Sequence, residues 1–478
     1  MSRPEADASR LPWVTVRPGL PYFVTEHGAA WTPLGHNDAI TWPELAGLFM
    51  RRDVPGVERH LRCLRTHGVT CLRVMLEYGQ GGHRWLERPA GAFAANMVRL
   101  WDDLFALCER VGLYLLLTPF DTFFLWRRWR SHPYHRDNGG PCASRRRLLV
   151  CPATRAAIEA RLAFATGRWG ASPALFAWDL WNELKPQWAL GDTPALADFI
   201  AGVGGFLRCL ETRLHGRAHL QTASVFLPDL APHPGLTALA FRHPALDFAS
   251  PHCYERGAID APRNTVAPAR AIGRLLRESI AETRDGRPVL DTEHGPIRAH
   301  AAHGGLPEAF DDAYFRRMQW AHLASGGAGG GLRWPYRHPH VLTTGMREAQ
   351  RALSAFLPLI DWTRFDRRPC IPRDVAVPDR GTDVFACASA DQALAYLLRG
   401  DGGRRACLGK RAPRDGTPAV TLALPGLDRG RWRLTTFDPV AGRIDAVREV
   451  DHPGGLLAIE LHPTGAETAL AATRTGLG

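Results

Sequence analysis

Lysine is almost missing from this chain: among 59 basic side chains, only Lys185 and Lys410 are lysines. The formal charge of +11 therefore rests on scattered arginines, densest at Arg127, Arg128 and Arg130 and at Arg145, Arg146 and Arg147. No nucleic-acid recognition motif accompanies them, so they read as a solvated or anion-contacting rim and not as a nucleic-acid site, with an acidic polysaccharide left open as a partner. Paired cysteines are missing too. The ten cysteines stand singly, without a Cys-x-x-Cys pair, which excludes a disulfide framework and leaves reduced, mostly buried thiols. The histidine pairs His132 and His135, His300 and His303, and His338 and His340 lack the helical spacing with an acid that zinc hydrolases use, so neither metal nor cofactor is expected. No stretch approaches the apolar length of a membrane span, and Met1 to Arg10 carries no apolar signal core. A cytoplasmic protein is expected, unless a leader precedes this start.

What is present is ample for a large core: 478 residues, 45% hydrophobic and 22% charged, more than one ordinary domain. From Pro55 to Phe356 the pattern is helix, glycine, short apolar strand, repeated. Helices at 55–67 and 94–111 stop at Gly68 and Gly112, and strands follow at 69–76 and 113–119. Further helices are expected at 153–168, 195–214, 268–283 and 308–325. Strands are expected at 175–183, 219–224, 248–252 and 288–293, with one more ending at Trp334 after the glycine-rich run 326–331 and a first one at 32–35. Eight strands alternating with helices predict a (β/α)8 TIM barrel at 31–362. Segments 13–16 and 22–25 flank Pro18-Gly19 and predict a hairpin closing the barrel floor, within an N-terminal extension of residues 1–30. After Pro358, alternating segments at 384–388, 393–398, 419–424, 432–437 and 456–461 predict a small antiparallel β-sandwich at 363–478.

Two of the barrel strands end on a glutamate. The run Leu175 to Asn182 delivers Glu183, and Pro288 to Thr292 delivers Glu293, at the strand ends where barrels place their chemistry. Cleaving a glycosidic bond builds positive charge at the anomeric carbon and negative charge on the leaving oxygen. Two carboxyl groups in different environments meet both demands. Period-two alternation puts Asp179, Trp181 and Glu183 on one strand face and Asp291 and Glu293 on one face of the other. The deeper Asp179 and Asp291 then need interior partners, and Arg73 is the candidate for them.

Tyr22-Phe23-Val24, Pro33-Leu34-Gly35-His36-Asn37, Arg73, Trp181-Asn182-Glu183, Pro251-His252-Cys253-Tyr254, Thr292-Glu293-His294-Gly295 and Trp334 stand in the order seen in clan A glycoside hydrolases. Over roughly its first 360 residues the chain resembles a family 5, cellulase-like glycosidase, and its C-terminal segment resembles the β-sandwich appended to many of them. The resemblance implies a retaining β-glycosidase, with Glu183 as acid/base and Glu293 as nucleophile about 5 to 5.5 Å apart. It further implies that Arg73 keeps Glu293 ionised, that Asn182 binds the sugar 2-hydroxyl, that Tyr254 touches the nucleophile and that His252 touches sugar or acid/base. Trp334 is expected to form the sugar platform, and His36 and Asp121 complete the substrate-binding candidates.

The chain departs from the family pattern at His294, where many relatives carry an aromatic, and at Tyr336, Arg337, His338, Pro339 and His340 after strand eight. The loops 121–129 and 185–188 are rich in Trp and Arg. These side chains suit an acidic or branched glycan, so ordinary cellulase and mannanase substrates do not follow from the resemblance. A transglycosylase shares every catalytic residue, and a glycan-binding barrel without catalysis is the alternative class. The presence of both glutamates with Asn182, Arg73 and Tyr254 favours catalysis.

Overall fold

The computed structural model describes residues 11–78, 85–298, 306–335, 340–370, 375, 381–400, 419–463 and 465–476. The chain opens with three short antiparallel strands, β1 (Val14–Val16), β2 (Phe23–Thr25) and β3 (Ala30–Trp31), which form one sheet. Phe23 is fully buried and meets Phe176 and Phe248 edge-on at 5.0 and 5.2 Å, while Trp31 meets Tyr114 at 5.0 Å. All three of these partners belong to barrel strands or lie beside one, so the hairpin plugs the floor.

The barrel follows with β4 (Gly35–Asp38), α1 (Ala46–Met50), α2 (Val54–Thr66), β5 (Cys71–Met75), α3 (Ala95–Val111), β6 (Tyr114–Thr118), α4 (Thr122–Arg128), α5 (Pro152–Trp169), β7 (Leu175–Asp179) and α6 (Thr193–His215). It continues with β8 (Leu220–Thr222), β9 (Ser224–Phe226), α7 (Gly235–Arg242), β10 (Ser250–His252), α8 (Ala267–Thr283), α9 (Glu308–Ala324), β11 (Leu332–Arg333) and α10 (Thr344–Phe356). The local signals behave as chemistry dictates. Asp53 caps α2 by accepting the Gly56 N–H at 2.9 Å, and Val57, Leu61 and Leu64 form its buried stripe. Gly112 ends α3 in the left-handed conformation (φ +86°), where its N–H reaches the Cys108 carbonyl. Among the described residues one helix, α6, is long and apolar enough to cross a membrane. Here its Leu196, Phe199, Ile200, Val203 and Leu207 are buried in the barrel's outer layer.

Six parallel strands run in the order β11-β4-β5-β6-β7-β8, and β9 pairs with β10. The fifth barrel strand is thus split at Ala223 into β8 and β9. Residues 288–294 close the ring through bridges Ala249↔Val289, His252↔Glu293 and His294↔Arg333, with the Leu332 N–H donating to the Asp291 carbonyl at 2.9 Å. The result is a closed eight-stranded (β/α)8 barrel. Its first strand begins at Gly35, where a strand ending at Gly35 was expected. The strand passes so close to β5 that a Cβ at Gly35 would overlap the Cys71 carbonyl, so this glycine permits pairing and does not stop it.

The C-terminal part holds β12 (Arg368–Pro369), β13 (Thr382–Ala388), β14 (Gln392–Arg399), β15 (Val420–Leu427), β16 (Gly430–Asp438), β17 (Arg443–His452), β18 (Gly455–Leu461) and β19 (Glu467–Gly476). A six-stranded sheet in the order β12-β13-β14-β19-β16-β17 faces the β15-β18 pair across Leu422, Leu424, Trp432, Ile459 and Leu470. Helix α9 joins the two parts. Arg316 and Arg317 each donate to the buried Glu467 (2.8 and 2.9 Å), the Tyr396 hydroxyl donates to it at 3.0 Å, and Trp320 stacks on Tyr396.

Candidate active site

Arg73, on β5, is the fully buried centre of the site. One terminal nitrogen, Nη1, donates to Asn37 Oδ1 and Glu293 Oε2, both at 2.9 Å. The other, Nη2, donates to Asp179 Oδ2 (2.8 Å) and Asn182 Oδ1 (2.5 Å). A planar guanidinium is suited to such a fan of acceptors, and it neutralises charge that burial would otherwise penalise. Asp179 is satisfied further by the Ser224 N–H (2.9 Å) and hydroxyl (3.0 Å).

Glu183 leaves β7 through a left-handed kink (φ +50°), with its N–H on Ser224 Oγ at 3.2 Å. Such a conformation is uncommon for a residue with a side chain, and strain of this kind gathers at working sites. Across from it, Glu293 Oε1 accepts the Tyr254 hydroxyl at 3.0 Å. His252 lies between the two acids, with Nδ1 3.1 Å from Glu183 Oε1 and 3.8 Å from Glu293 Oε2, and Nε2 3.1 Å from the Thr292 hydroxyl. One carboxyl oxygen from each glutamate and a ring nitrogen of His252 lie within 4.8 Å of one another. That approach falls on the retaining side of the divide, since inverting enzymes hold their acids about 6.5 Å apart or more to admit a water.

Three acid and imidazole donors so close also invite a cation. Both Glu293 oxygens already accept a donor, from Arg73 and from Tyr254, and the buried guanidinium charge beside them disfavours a second cation. A proton is the natural occupant. Burial pushes the Glu183 carboxyl up to about 7, against Lys185 and Arg73, which pull it down. Burial also raises Glu293, opposed by His252, Arg73 and the Tyr254 hydroxyl, while Glu183 adds to the rise. Burial lowers His252 to about 4, so the ring is neutral between two carboxyl groups.

Arg73, Asn182, Glu183, His252, Tyr254 and Glu293 therefore converge, as the sequence expected. Trp334 stands half-buried at the same strand ends, edge-on to Trp42 at 5.1 Å. Asp121 is nearby but sits behind Asn182, accepting its Nδ2 at 2.5 Å. His36 is not brought to the site. It is fully buried on the outer face of β4, against Gln350 of α10, and its neighbour Asn37 takes the inward place, donating to the carbonyls of Thr292 (2.9 Å) and Leu332 (3.0 Å).

The expected shared face of Asp179, Trp181 and Glu183 does not form. Regular pairing ends at Asp179, Trp181 turns outward with its indole N–H on Thr122 Oγ1 (2.9 Å), and Asn182 turns inward. Asp291 is not a partner of Arg73; it pairs with His294 Nδ1 at 2.7 Å. His294 is fully buried there, so it supports Asp291 and does not read substrate. His340 is exposed beside Glu44, and Tyr336, Arg337, His338 and Pro339 lie outside the described residues, as do His300 and His303. Sequence reasoning missed Asn37 and Ser224. Only the step of one residue from His36 to Asn37 within the quoted motif separates the outward from the inward side chain.

No family model matches the chain. Over 282 residues, 55% of this chain and 68% of the other, it is 26% identical to an Oryza sativa subsp. japonica protein carrying the name mannan endo-1,4-beta-mannosidase 9. A glycoside hydrolase family 5 structure from Bacteroides vulgatus ATCC 8482 superposes with a TM-score of 0.61 at 13% identity, covering 97% of this chain and 93% of that one. A family 5 mannosidase from Rhizomucor miehei gives 0.55 at 13% identity, over 72% and 98%. These structures speak for the fold of both parts, and the rice protein speaks for kinship in sequence. The chain has the fold of the family 5 glycoside hydrolases it superposes on, and a carboxyl oxygen from each of two glutamates lies within 4.8 Å of the other at its strand ends.

Proposed function

We propose that this chain cleaves β-mannosidic bonds of an oligo- or polysaccharide with retention, using Glu183 as acid/base and Glu293 as nucleophile. The observation that carries this reading is the approach of the two carboxyl groups within 4.8 Å, each in a different setting. Glu293 accepts from Arg73 and Tyr254, which favour its charged, attacking form. Glu183, raised to about 7, holds a proton at neutral pH and delivers it to the leaving oxygen as Glu293 Oε attacks the anomeric carbon. The C–O bond to the leaving group breaks and a glycosyl ester forms on Glu293; Glu183, now ionised, then takes a proton from a water that attacks the anomeric carbon, and the bond from that carbon to Glu293 breaks to restore the carboxylate.

Asn182 has spent one amide N–H on Asp121 and keeps a second for a sugar hydroxyl, so Asp121 acts as a positioning residue behind it. Trp334 offers its face to the sugar at the cleavage point. The mannose preference is supported by the names of the rice and Rhizomucor proteins. We assign catalysis to residues 31–362, the floor to 1–30 and the appended sandwich to 363–478. A reducing, cytoplasmic setting is supported by the nine described cysteines, all free thiols.

The test is hydrolysis of aryl β-mannosides, aryl β-glucosides and β-1,4-mannooligosaccharides by the natural chain, Glu183→Gln and Glu293→Gln, with the first-formed anomer read by NMR. Loss of turnover in both variants with the β anomer formed first is the expected result. An α anomer formed first, or full activity in Glu293→Gln, overturns the assignment.

A further inference from the structure

The segment after β6, residues 121–151, holds seven arginines, no lysine and no glutamate, against the aspartates Asp121 and Asp137. Asp121 is committed to Asn182 beneath the surface, and Asp137 stands beside His135. Elsewhere some exposed arginines are neutralised in pairs, such as Arg52 with Asp103, Arg62 with Glu58 and Arg168 with Asp102, and others, such as Arg59, Arg99 and Arg213, stand singly; what sets this segment apart is that its arginines cluster. Among the described residues, no acid lies within ion-pair reach of Arg127, Arg128, Arg130, Arg145 or Arg146, and all but the partly covered Arg145 are exposed. The positive charge of this face is left over.

The same segment exposes aromatic rings. Phe123 is 43% exposed and Trp126 is 50% exposed, on one short helix, α4. The Arg127 guanidinium lies 4.9 Å from the Phe123 ring centre. That of Arg145 lies 6.0 Å from the Trp126 ring and 5.8 Å from Trp188, with Nη1 donating to the Trp126 carbonyl at 3.0 Å. Guanidinium planes and rings are thus held together at the surface. The shelf is tied to the stretch that carries Glu183. Helix α4 starts at Thr122, which accepts the Trp181 indole N–H, and the Leu190 N–H donates to the Arg146 carbonyl at 2.9 Å, tying the shelf to the loop after Glu183.

We infer that Phe123, Trp126, Arg127 and Arg145 form a distal subsite, and that the glycan cleaved here carries an anionic substituent, carboxylate or phosphate, at a unit away from the cleavage point; this rests on the glycosidase reading above. Ring faces take the C–H face of a pyranose, and the planar forks of arginine take a carboxylate or phosphate with two donors each. A neutral mannan would draw nothing from this cluster of guanidinium groups.

The experiment compares kcat/KM of the natural chain on β-1,4-mannohexaose, the same oligosaccharide partly oxidised to C6 carboxylates, and its 6-phosphorylated form. Each is run at low salt and at about 1 M salt, where screening acts over ~3 Å. The expected result is a preference of about tenfold or more for at least one anionic form, strongly reduced by salt. The double substitution Arg127→Gln with Arg145→Gln brings that ratio near one, and Arg127→Lys with Arg145→Lys keeps part of it, because the charge stays and the fork is lost. The carboxylated and phosphorylated arms tell the two anions apart. Equal kcat/KM on neutral and anionic forms, or a preference untouched by the Gln pair, overturns the inference. So does competition by single-stranded DNA as strong as by the anionic glycan, which marks a general polyanion surface. Turnover of an aryl β-mannoside, lost in Glu293→Gln, keeps the two readings apart: with it present and no preference seen, only the distal subsite falls, whereas with no mannoside turned over both fall.

Discussion

If Glu183 delivers the proton, the reaction must weaken as pH rises through the value at which Glu183 loses it. The carboxyl is held at about 7, raised chiefly by burial, and the acid form is the active one. One pH unit above that point about a tenth of the molecules retain the proton, so kcat/KM on an unactivated mannooligosaccharide falls by about tenfold per unit on the alkaline side. Two neighbours set the position of this limb. Lys185, paired with Asp229 at 3.0 Å, favours the ionised carboxyl, and Asp229 opposes ionisation. Lys185→Met therefore moves the limb to higher pH and Asp229→Asn moves it to lower pH. The assay is kcat/KM against pH from 5 to about 9 for the three proteins, with an aryl mannoside bearing a good leaving group as control, since its departure needs little acid help. A flat profile across pH 6 to about 9 on the unactivated substrate, or limbs that move in the same direction in both variants, refutes the assignment of Glu183 as the acid.

Tyr254→Phe removes a hydroxyl donating to Glu293 at 3.0 Å; loss of a bond to a charged group of about 1.5 to 3 kcal/mol predicts a fall in kcat/KM of roughly 10- to 100-fold, and an acid limb moved to higher pH. Trp334→Ala should raise KM more than it lowers kcat, read by steady-state kinetics on mannooligosaccharides of increasing length. Arg161 is buried between Glu77 (2.9 Å) and Glu87 (2.6 Å), so Arg161→Leu leaves two buried carboxylates uncompensated and costs about 3 to 5 kcal/mol in denaturant unfolding; a loss under about 1 kcal/mol would show that the cluster is better hydrated than its burial implies.

The family motifs carried most of the site because each is a short stretch whose side chains sit next to a strand end, and helix punctuation by Asp53, Gly68 and Gly112 is local chemistry. That Arg73, Asn182, Glu183, His252, Tyr254 and Glu293 matter was legible in this way. Which face each presents was not. Alternation works only while a strand stays paired, and β7 stops at Asp179, so Trp181 and Asn182 exchange the places that period two gives them. His36 and Asn37 differ by one position, and the pairing of β4 with β5, placing Asn37 opposite Arg73, decides which one enters the barrel.

Three sandwich strands are not legible in the sequence: Arg368–Pro369 is only two residues long, and the other two are hidden for opposite reasons. Arg443–His452 is a mostly exposed, charged edge strand with no apolar face to reveal it, while Glu467–Gly476 is alanine-rich and becomes the sheet's centre because β14 and β16 pair on either side. By itself, then, the sequence determined six of the helices, that eight strands alternate with helices, and that two of those strands lead into glutamates, whereas α1, α4, α7 and α10 emerge only in the structure. Tertiary structure alone decided that Arg73 takes Asp179 and leaves Asp291 to His294, that two acids lie close enough to share one proton environment, and that burial lifts one of them to about 7. The Arg73–Asp179 pair and the approach of Glu183 to Glu293 each join residues more than a hundred positions apart, and such distances and dielectric surroundings no local pattern encodes.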